Sequence, residues 1–100
     1  MPTHFENPSF LRDLKRLTLA QITLFEARLQ QFVADLADME EGRLSWFRSS
    51  LRVKKVKGSP GVYEMTWAPD GRATFAWGPQ QTPGKRHVIW LRIGSHDILP

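Results

Sequence analysis

Apolar residues recur every three or four positions near the start of the chain, a spacing typical of amphipathic helices. Phe10, Leu14 and Leu17 form one such stripe. The helix that carries this stripe is expected to begin at Asn7 and Pro8, because asparagine is a favoured N-cap and proline a favoured first helical residue.

A second, longer helix is predicted to start at Thr18, since Thr18 and Gln21 have the residue types and the spacing of a capping box. Gly42 is expected to end it, because glycine readily adopts the left-handed conformation that often follows a helix. Together the two segments predict an αα-hairpin that lies over a sheet. The buried side of the second helix is marked by apolar residues at helical spacing: Ile22, Phe25, Leu29, Phe32, Val33 and Leu36.

Residues 62–77 alternate between two faces, as expected for two strands that fold back on each other. The turn is expected at residues 68–71, where Pro69 presets one backbone angle and glycine tolerates a positive φ. One face places Glu64 and Arg72 in the middle of the sheet, and chemistry is expected there. The opposite face carries apolar and aromatic side chains and is expected to be core: Tyr63, Met65, Trp67, Ala73, Phe75 and Trp77.

Three further segments are expected to complete the sheet. Residues 3–5 predict a short edge strand, residues 51–57 alternate imperfectly and predict another strand, and residues 87–93 are apolar nearly throughout, as in a central strand. The predicted fold class is therefore α+β, with an N-terminal αα-hairpin packed on a small, mostly antiparallel twisted sheet. We expect a single domain over residues 1–100.

The composition indicates the cellular compartment of the protein and shows that its charge is unevenly distributed along the chain. The 100 residues include no cysteine, which excludes a disulfide framework and a cysteine metal site and suits a reducing compartment. No apolar run approaches the length of a membrane span, and the N-terminus lacks the layout of a signal peptide, so we expect a cytoplasmic protein without a membrane partner. The net charge is +4, and residues 43–100 carry ten of the 14 Lys and Arg residues. This excess favours polyanionic partners.

Four short motifs follow one another along the chain. They are FLRDLKRL at residues 10–17, VKG at 56–58, GR at 71–72 and IGSHD at 93–97. In this order the motifs resemble those of the RelE/ParE toxin superfamily, whose members show F-x-x-D-L-K-x-L, L-K-G, Y/G-R and I-G-x-H-D at these places. The resemblance covers about the whole chain and implies the α+β fold predicted from the periodicity.

The resemblance also implies a function. Members of the RelE branch are toxins of toxin–antitoxin pairs, and many are ribosome-dependent endoribonucleases that cut mRNA in the decoding site. The expected protein is therefore an mRNA interferase that needs no cofactor, with a cognate antitoxin, mRNA and the ribosome as partners. ParE members share the fold but poison DNA gyrase without cutting RNA, and a ParE-like toxin is one alternative. A basic RNA-binding module that does not cut is another.

Three residues are expected to carry the chemistry of metal-free RNA cleavage. The reaction needs a base for the 2′-hydroxyl, positive charge at the pentacovalent phosphate and an acid for the departing 5′-oxygen. Arg72 stands where the RelE branch keeps an arginine that stabilises the reacting phosphate, a task that suits a guanidinium fork. His96 stands where family members keep a basic or acid–base side chain, and histidine titrates near neutral pH. Glu64, on the same predicted face as Arg72, is the complementary group.

The chain also departs from the family pattern. Glu64 and Thr66 stand where the RelE archetype has lysines, and Leu99 lies near the place of a common terminal tyrosine. The only tyrosine, Tyr63, is expected to face the core. These departures favour the alternatives that do not cleave RNA. For Glu64 and Arg72, a structural cross-strand ion pair is the competing interpretation.

A second group of basic residues is expected to bind RNA phosphates with an affinity that falls as salt is raised. The alternative is a solvated strand whose lysines discourage edge-to-edge pairing. The chain has three histidines, which are scattered, so no metal site is expected. The predicted phosphate-binding residues are Arg48, Arg52, Lys54, Lys55, Lys57, Lys85 and Arg86.

Overall fold

The computed structural model describes residues 2–100, in which two helices and a five-stranded mixed sheet enclose one core. In the sheet the strand order is β1-β5-β4-β3-β2; β1 runs parallel to β5 and the other neighbouring pairs are antiparallel. This is the predicted α+β class with a mostly antiparallel sheet. The strands are β1 (Thr3–Glu6), β2 (Lys54–Lys55), β3 (Tyr63–Thr66), β4 (Gly71–Gly78) and β5 (His87–Ser95). The helices are α1 (Pro8–Leu14) and α2 (Leu19–Glu40), with short 3₁₀ turns at Ser49–Leu51 and His96–Ile98.

Both predicted helix starts are confirmed. Helix α1 begins at Pro8, directly after its N-cap Asn7. At the start of α2, the Thr18 hydroxyl accepts a hydrogen bond from the Gln21 backbone N–H at 3.2 Å, and the Thr18 N–H donates to the Gln21 side-chain oxygen at 2.8 Å. These reciprocal bonds form the capping box. Within residues 2–100, neither helix is long and apolar enough to cross a membrane.

Helix α1 packs mainly against β5, at the point where β1 ends. The Asn7 N–H donates to the Trp90 carbonyl at 3.0 Å and so carries the β1–β5 pairing into the helix start. Helix α1 meets α2 through Phe10 and Phe25, whose ring centroids are 6.2 Å apart. Helix α1 has seven residues and α2 has 22, so the two helices differ greatly in length. The expected αα-hairpin stays a prediction, since the main contact of α1 is with the sheet.

The β3–β4 hairpin turns at the predicted residues and has the predicted faces, but Gly71 does not adopt the positive φ for which a glycine was expected there. The Gly71 N–H donates to the Ala68 carbonyl at 3.0 Å and closes the turn. Glu64 and Arg72 share the face opposite the core, as the alternation predicts. Helix α2 covers the core face, where the buried residues include Phe25, Phe32, Leu36, Met65, Trp67, Ala73 and Phe75.

The bounds of two strands differ from the expectation. The strand expected over residues 51–57 is reduced to Lys54–Lys55. Leu51 is fully buried in a 3₁₀ turn, and Arg52 has a φ of +50°, which a strand residue does not adopt. Strand β5 is longer than expected and reaches Ser95, because β4 pairs with it to that point. It is an inner strand, with β1 and β4 on either side.

Candidate functional site

Glu64 and Arg72 lie together on the sheet face opposite the core. The Nε atom of Arg72 on β4 is 3.7 Å from Oε1 of Glu64 on β3. The Nζ atom of Lys54, which is paired with Glu64 across β2 and β3, is 3.9 Å from the same oxygen. Glu64 is only 5% exposed. A carboxylate is stable in such a buried position because cations stand on two sides of it.

The guanidinium of Arg72 is held by the hairpin turn. Its Nη1 atom donates to the carbonyl oxygens of Gly71 at 2.9 Å, Pro69 at 3.3 Å and Ala68 at 3.4 Å. The side chain is 18% exposed. Its Nε atom is a buried donor that finds no hydrogen-bond acceptor within residues 2–100. Arg72 is therefore a preoriented cation with donor capacity left over.

A cavity of about 320 Å³ opens beside Arg72, at the end of the β3–β4 hairpin. Three of its lining residues are arginines that come from α2, from the segment before β2 and from β4, and no aspartate or glutamate of residues 2–100 lines it. Its walls are therefore positively charged. We call this cavity the arginine hollow; its lining includes Arg28, Ser50, Arg52, Thr66, Trp67 and Arg72.

His96 lies at the same end of the sheet but outside the lining of the arginine hollow. Arg72 on β4 is paired with Gly94 on β5, and His96 follows two residues later in the last 3₁₀ turn. The His96 backbone N–H donates to Oδ1 of Asp70 at 3.4 Å, which ties this turn to the β3–β4 hairpin. The His96 residue is exposed. Its backbone is thus close to the hairpin turn, and a catalytic role for its imidazole stays a prediction.

Four of the predicted phosphate-binding residues lie on or next to β2. Arg52 lines the arginine hollow, and Lys54 approaches Glu64. Lys55 projects to the opposite side of the sheet from Lys54, because successive strand residues alternate. Lys57 is exposed in the turn that follows β2. Arg52 and Lys54 are therefore the members of this group that lie close to Arg72.

Arg48 is held by carboxylates of α2. Its backbone N–H donates to Oδ2 of Asp35 at 2.9 Å, and its guanidinium forms ion pairs with Asp35 and Asp38. The hydrogen bond to Asp38 and the nearby charge of Asp35 raise the pKa of Arg48, while hydrogen bonds from Arg43 and Arg48 lower the pKa of Asp38. The contacts of Arg48 fix the chain that follows α2, and phosphate binding by Arg48 stays a prediction.

Lys85 and Arg86 lie at the other end of the β4–β5 pair. They precede β5, whose first residue is paired with Gly78. Gly78 is about 20 Å along β4 from Arg72 at the usual rise per strand residue. The guanidinium carbon of Arg86 lies 5.0 Å from the ring centroid of Trp77. The structure therefore separates these two residues from the arginine hollow, and phosphate binding by them stays a prediction.

Arg28 is absent from the predicted site, yet it lines the arginine hollow. It stands on α2 three residues after Phe25 and four before Phe32, both of which are buried, so it lies beside the buried stripe of the helix. Its Nη1 atom donates to the side-chain oxygen of Gln31 at 3.2 Å. A cation beside a buried helical stripe is a signal in the sequence. The sequence does not show which strand end this cation faces, because that contact joins distant parts of the chain.

Comparison with known proteins finds the fold in several solved structures, although no protein-family model and no curated protein matches the chain. A copper-bound mutant toxin from Helicobacter pylori is similar with a TM-score of 0.63 and 17% identity over 100% of both chains. YafQ from E. coli is similar with a TM-score of 0.60 and 13% identity, over 98% of this chain and 97% of YafQ. The RelB–RelE antitoxin–toxin complex from Methanococcus jannaschii gives 0.56 and 14%, over 94% and 92%. The chain has the fold of RelE-like toxins.

Proposed function

We propose that the chain is the toxin of a toxin–antitoxin pair and that it cleaves mRNA on the ribosome without a metal ion. The observation that carries the proposal is Arg72, a guanidinium oriented by three turn carbonyls at the edge of a positively charged cavity. The shared fold supports it, because the similar structures include toxins crystallised with the antitoxins RelB and DinJ. Action on translated mRNA would place the protein in the cytoplasm.

In the proposed reaction, the 2′-hydroxyl of a ribose attacks the adjacent phosphorus, and the bond from phosphorus to the 5′-oxygen breaks. Arg72 stabilises the negative charge that grows on the phosphate oxygens in the pentacovalent transition state. A base takes the proton of the 2′-hydroxyl and an acid gives a proton to the 5′-oxygen, so the products carry a 2′,3′-cyclic phosphate and a 5′-hydroxyl. His96 is the proposed acid or base, and Glu64 is the proposed complementary group.

The position of Arg72 suits this role for two physical reasons. The guanidinium is already oriented, so little conformational entropy is lost when a phosphate binds. It is also largely shielded from water, with 18% of its side chain exposed, which strengthens its interaction with a developing negative charge. Glu64, at 3.7 Å from Arg72 Nε, keeps the guanidinium from turning away.

The test is primer extension on mRNA that is translated by programmed ribosomes in the presence of each variant. Arg72→Lys should slow cleavage by roughly 100- to 1,000-fold, because an ammonium group cannot reproduce the guanidinium fork. His96→Gln should slow it by roughly 100-fold or more at neutral pH. Arg12→Lys, on the exposed side of α1, is the matched control and should cut like the wild type. Cleavage at the wild-type rate by both Arg72→Lys and His96→Gln would remove the proposal.

The proposed partner is a cognate antitoxin protein. Expression of the chain alone should arrest growth, and coexpression with the product of a neighbouring reading frame should relieve the arrest and yield a complex of the two proteins. Absence of growth arrest at high expression would contradict the toxin proposal. Arrest accompanied by trapped DNA breaks and intact mRNA would instead indicate a gyrase-directed, ParE-like toxin.

A second candidate function is RNA binding without cleavage. One observation favours it: no histidine or tyrosine of residues 2–100 lines the arginine hollow. Glu64, the acidic residue closest to Arg72, is also engaged by Lys54. A non-cleaving protein would retain RNA on a filter but leave no cyclic phosphate ends, even on translating ribosomes. The primer-extension experiment therefore separates the two functions.

A further inference from the structure

We infer that the arginine hollow is a second phosphate site, in which Arg28, Arg52 and Ser50 hold an RNA phosphodiester that neighbours the one at Arg72. This inference rests on the proposed function for the identity of the ligand. It assigns a binding role to Arg28 of α2, which lies outside the predicted site. Three features of the molecule support it: the charge of the hollow, its unpaired donors and the backbone of Arg52.

Positive charge is in excess around the hollow, where, over residues 2–100, Arg72 alone of the three arginines has a nearby carboxylate, that of Glu64 at 3.7 Å. Three guanidinium groups border one cavity, and no aspartate or glutamate of residues 2–100 is in its lining. Elsewhere in the described part of the chain, Arg43, Arg48 and Arg92 each form an ion pair with a carboxylate. Gathering like charges costs free energy, so such an arrangement is best explained by an anion that binds there.

Unpaired hydrogen-bond donors also lie at the hollow. Within residues 2–100, two buried side-chain nitrogens have no hydrogen-bond partner: Nε1 of Trp67 and Nε of Arg72. Both residues line the arginine hollow. Buried donors in folded proteins nearly always have acceptors, so two exceptions in the wall of one cavity mark donor capacity that no group of residues 2–100 uses. A phosphate supplies several acceptor oxygens together with negative charge.

The backbone of Arg52 has an unusual conformation next to the hollow. Among residues 2–100 it is the one non-glycine residue with a positive φ, at +50°. This conformation is unfavourable for a residue with a Cβ atom, and such exceptions concentrate at functional sites. It reverses the chain between the 3₁₀ turn at Ser49–Leu51 and β2, and Arg52 and Ser50 then border the hollow beside Arg72.

A polynucleotide explains why the hollow and Arg72 lie next to each other. Successive phosphates of one strand are covalently linked, so a phosphate bound between Arg28 and Arg52 restricts where the next ribose and phosphate lie. This restriction favours cleavage by orienting the reacting groups before the reaction. A free phosphate ion gains nothing from the neighbouring site. The test therefore compares binding of an oligonucleotide with binding of inorganic phosphate.

The binding test uses a single-stranded 2′-O-methyl oligoribonucleotide, which cannot be cleaved because its attacking hydroxyl is blocked. Arg28→Gln should weaken binding by roughly 5- to 10-fold and reduce the slope of log K against log salt by about 0.7, the value for one phosphate contact on a single strand. Arg16→Gln, an exposed arginine after α1, is the matched control and should leave the slope unchanged. Wild-type affinity and slope in Arg28→Gln would overturn the inference.

A second measurement keeps the inference testable if a variant folds poorly. The chain has four tryptophans, so its indole N–H groups give four resonances in a ¹H–¹⁵N spectrum. Adding the 2′-O-methyl oligonucleotide to the wild type should shift the Trp67 indole resonance, and inorganic phosphate alone should shift it only at much higher concentration. An unchanged Trp67 resonance at saturating oligonucleotide would overturn the inference. Equal apparent affinity for phosphate and oligonucleotide would contradict the polynucleotide as ligand.

The two proposals can fail separately. If the wild type binds the blocked oligonucleotide through Arg28 but does not cut unmodified RNA on ribosomes, the second phosphate site stands and the nuclease proposal falls. If the wild type cuts RNA and Arg28→Gln cuts and binds equally well, the nuclease proposal stands and the second site falls.

Discussion

Asp13 accepts a hydrogen bond from the part of β5 that extends beyond its pairing with β1. A neighbouring strand would otherwise supply this acceptor. Its Oδ2 atom accepts from the Ile93 N–H at 3.1 Å, and Arg92 donates to both carboxylate oxygens, at 2.5 and 3.2 Å. Burial alone would raise the pKa of Asp13, but the hydrogen bonds from Arg92 and Ile93 outweigh it and hold the pKa below its ordinary value. The ionised form of Asp13 therefore stabilises the fold.

Asp13→Asn should destabilise the protein in a pH-dependent way. Because the pKa is lowered in the folded state, the stabilisation is complete above the ordinary pKa of 3.8 and is lost as the pH falls from there through the folded-state value. At pH 7 the substitution should lower the free energy of unfolding by about 1–3 kcal/mol. The difference from the wild type should shrink at the acid end of that range. Urea denaturation of the wild type and the variant at pH 7 and pH 3 measures the loss at each pH. Asp97→Asn, at an exposed position, is the control. An equal loss at the two pH values would exclude a role for the charge.

Gly71→Ala should disturb the core below the arginine hollow. A Cβ atom at position 71 would lie 2.6 Å from Cδ2 and Cε2 of Trp67, a ring that is 4% exposed and packs against Phe25. The ring must move, at a cost of about 1–3 kcal/mol. Gly94→Ala is the comparison, since its nearest atom is Cγ2 of the partly exposed Ile98, which can shift more easily. Thermal unfolding measures both variants, and equal melting temperatures would contradict the packing argument.

At the residue scale, the sequence predicts the pairing of Glu64 with Arg72 but not the contribution of Arg28. The two-residue period of a strand decides which side chains share a face, and the Pro69-containing turn sets the register of the hairpin. Both signals are local. Arg28 reaches the same cavity from a helix position 44 residues before Arg72 in the chain, and spacing along the sequence carries no information on that contact.

At the element scale, the end of α2 is stabilised by cations that follow it in the chain. The C-terminal end of a helix carries a partial negative charge, so the acidic residues there are unfavourable unless they are paired. Arg43 Nε lies 3.0 Å from Oδ1 of Asp38, and Arg48 Nη2 lies 3.1 Å from Oδ2. Arg48 also pairs with Asp35, which is 2% exposed. These contacts attach the loop after α2 to the helix.

Arg48→Gln should therefore lower stability and leave RNA binding unchanged. Without the guanidinium, the buried carboxylate of Asp35 loses its cation, and the melting temperature should fall by roughly 5–10 °C. Affinity for the 2′-O-methyl oligonucleotide should match the wild type. Arg12→Gln, an exposed arginine of α1, is the control for loss of one charge. A variant with wild-type stability and weaker RNA binding would instead support the phosphate-binding role predicted from the sequence.

Helices were easier to predict than strands because their ends are decided locally. The capping box of Thr18 and Gln21 lies within four residues, and its hydrogen bonds form as expected. The strand predicted over residues 51–57 was wrong in most of its length, because burial of Leu51 against the rest of the fold overrides the weak alternation of that segment. Strand β1 was predicted, but its parallel partner β5 lies at the far end of the chain.

At the scale of the whole molecule, the basic residues form two clusters at opposite ends of the β4–β5 pair. Arg52 and Lys54 belong to the end that contains Arg72, and Lys85 and Arg86 to the other. The net charge of +4 attracts RNA to either end at long range. Only close contacts with phosphates release counterions, so salt dependence distinguishes a binding surface from a merely charged one.

Two double variants of equal net charge should therefore differ in RNA binding. Arg52→Gln with Lys54→Gln should lower the salt slope for the 2′-O-methyl oligonucleotide by about 0.7 or more, the single-strand value for the one phosphate contact assigned to Arg52. Lys85→Gln with Arg86→Gln removes the same charge and should leave the slope unchanged, because these residues lie next to the far end of β4, where Gly78 is about 20 Å along the strand from Arg72. Fluorescence anisotropy over a range of salt concentrations measures both. Since the two variants have the same net charge, any difference in slope reports the position of the lost charges. A larger effect of the Lys85 and Arg86 pair would place the RNA at the end of the sheet away from Arg72. That result would exclude Arg72 from the reaction.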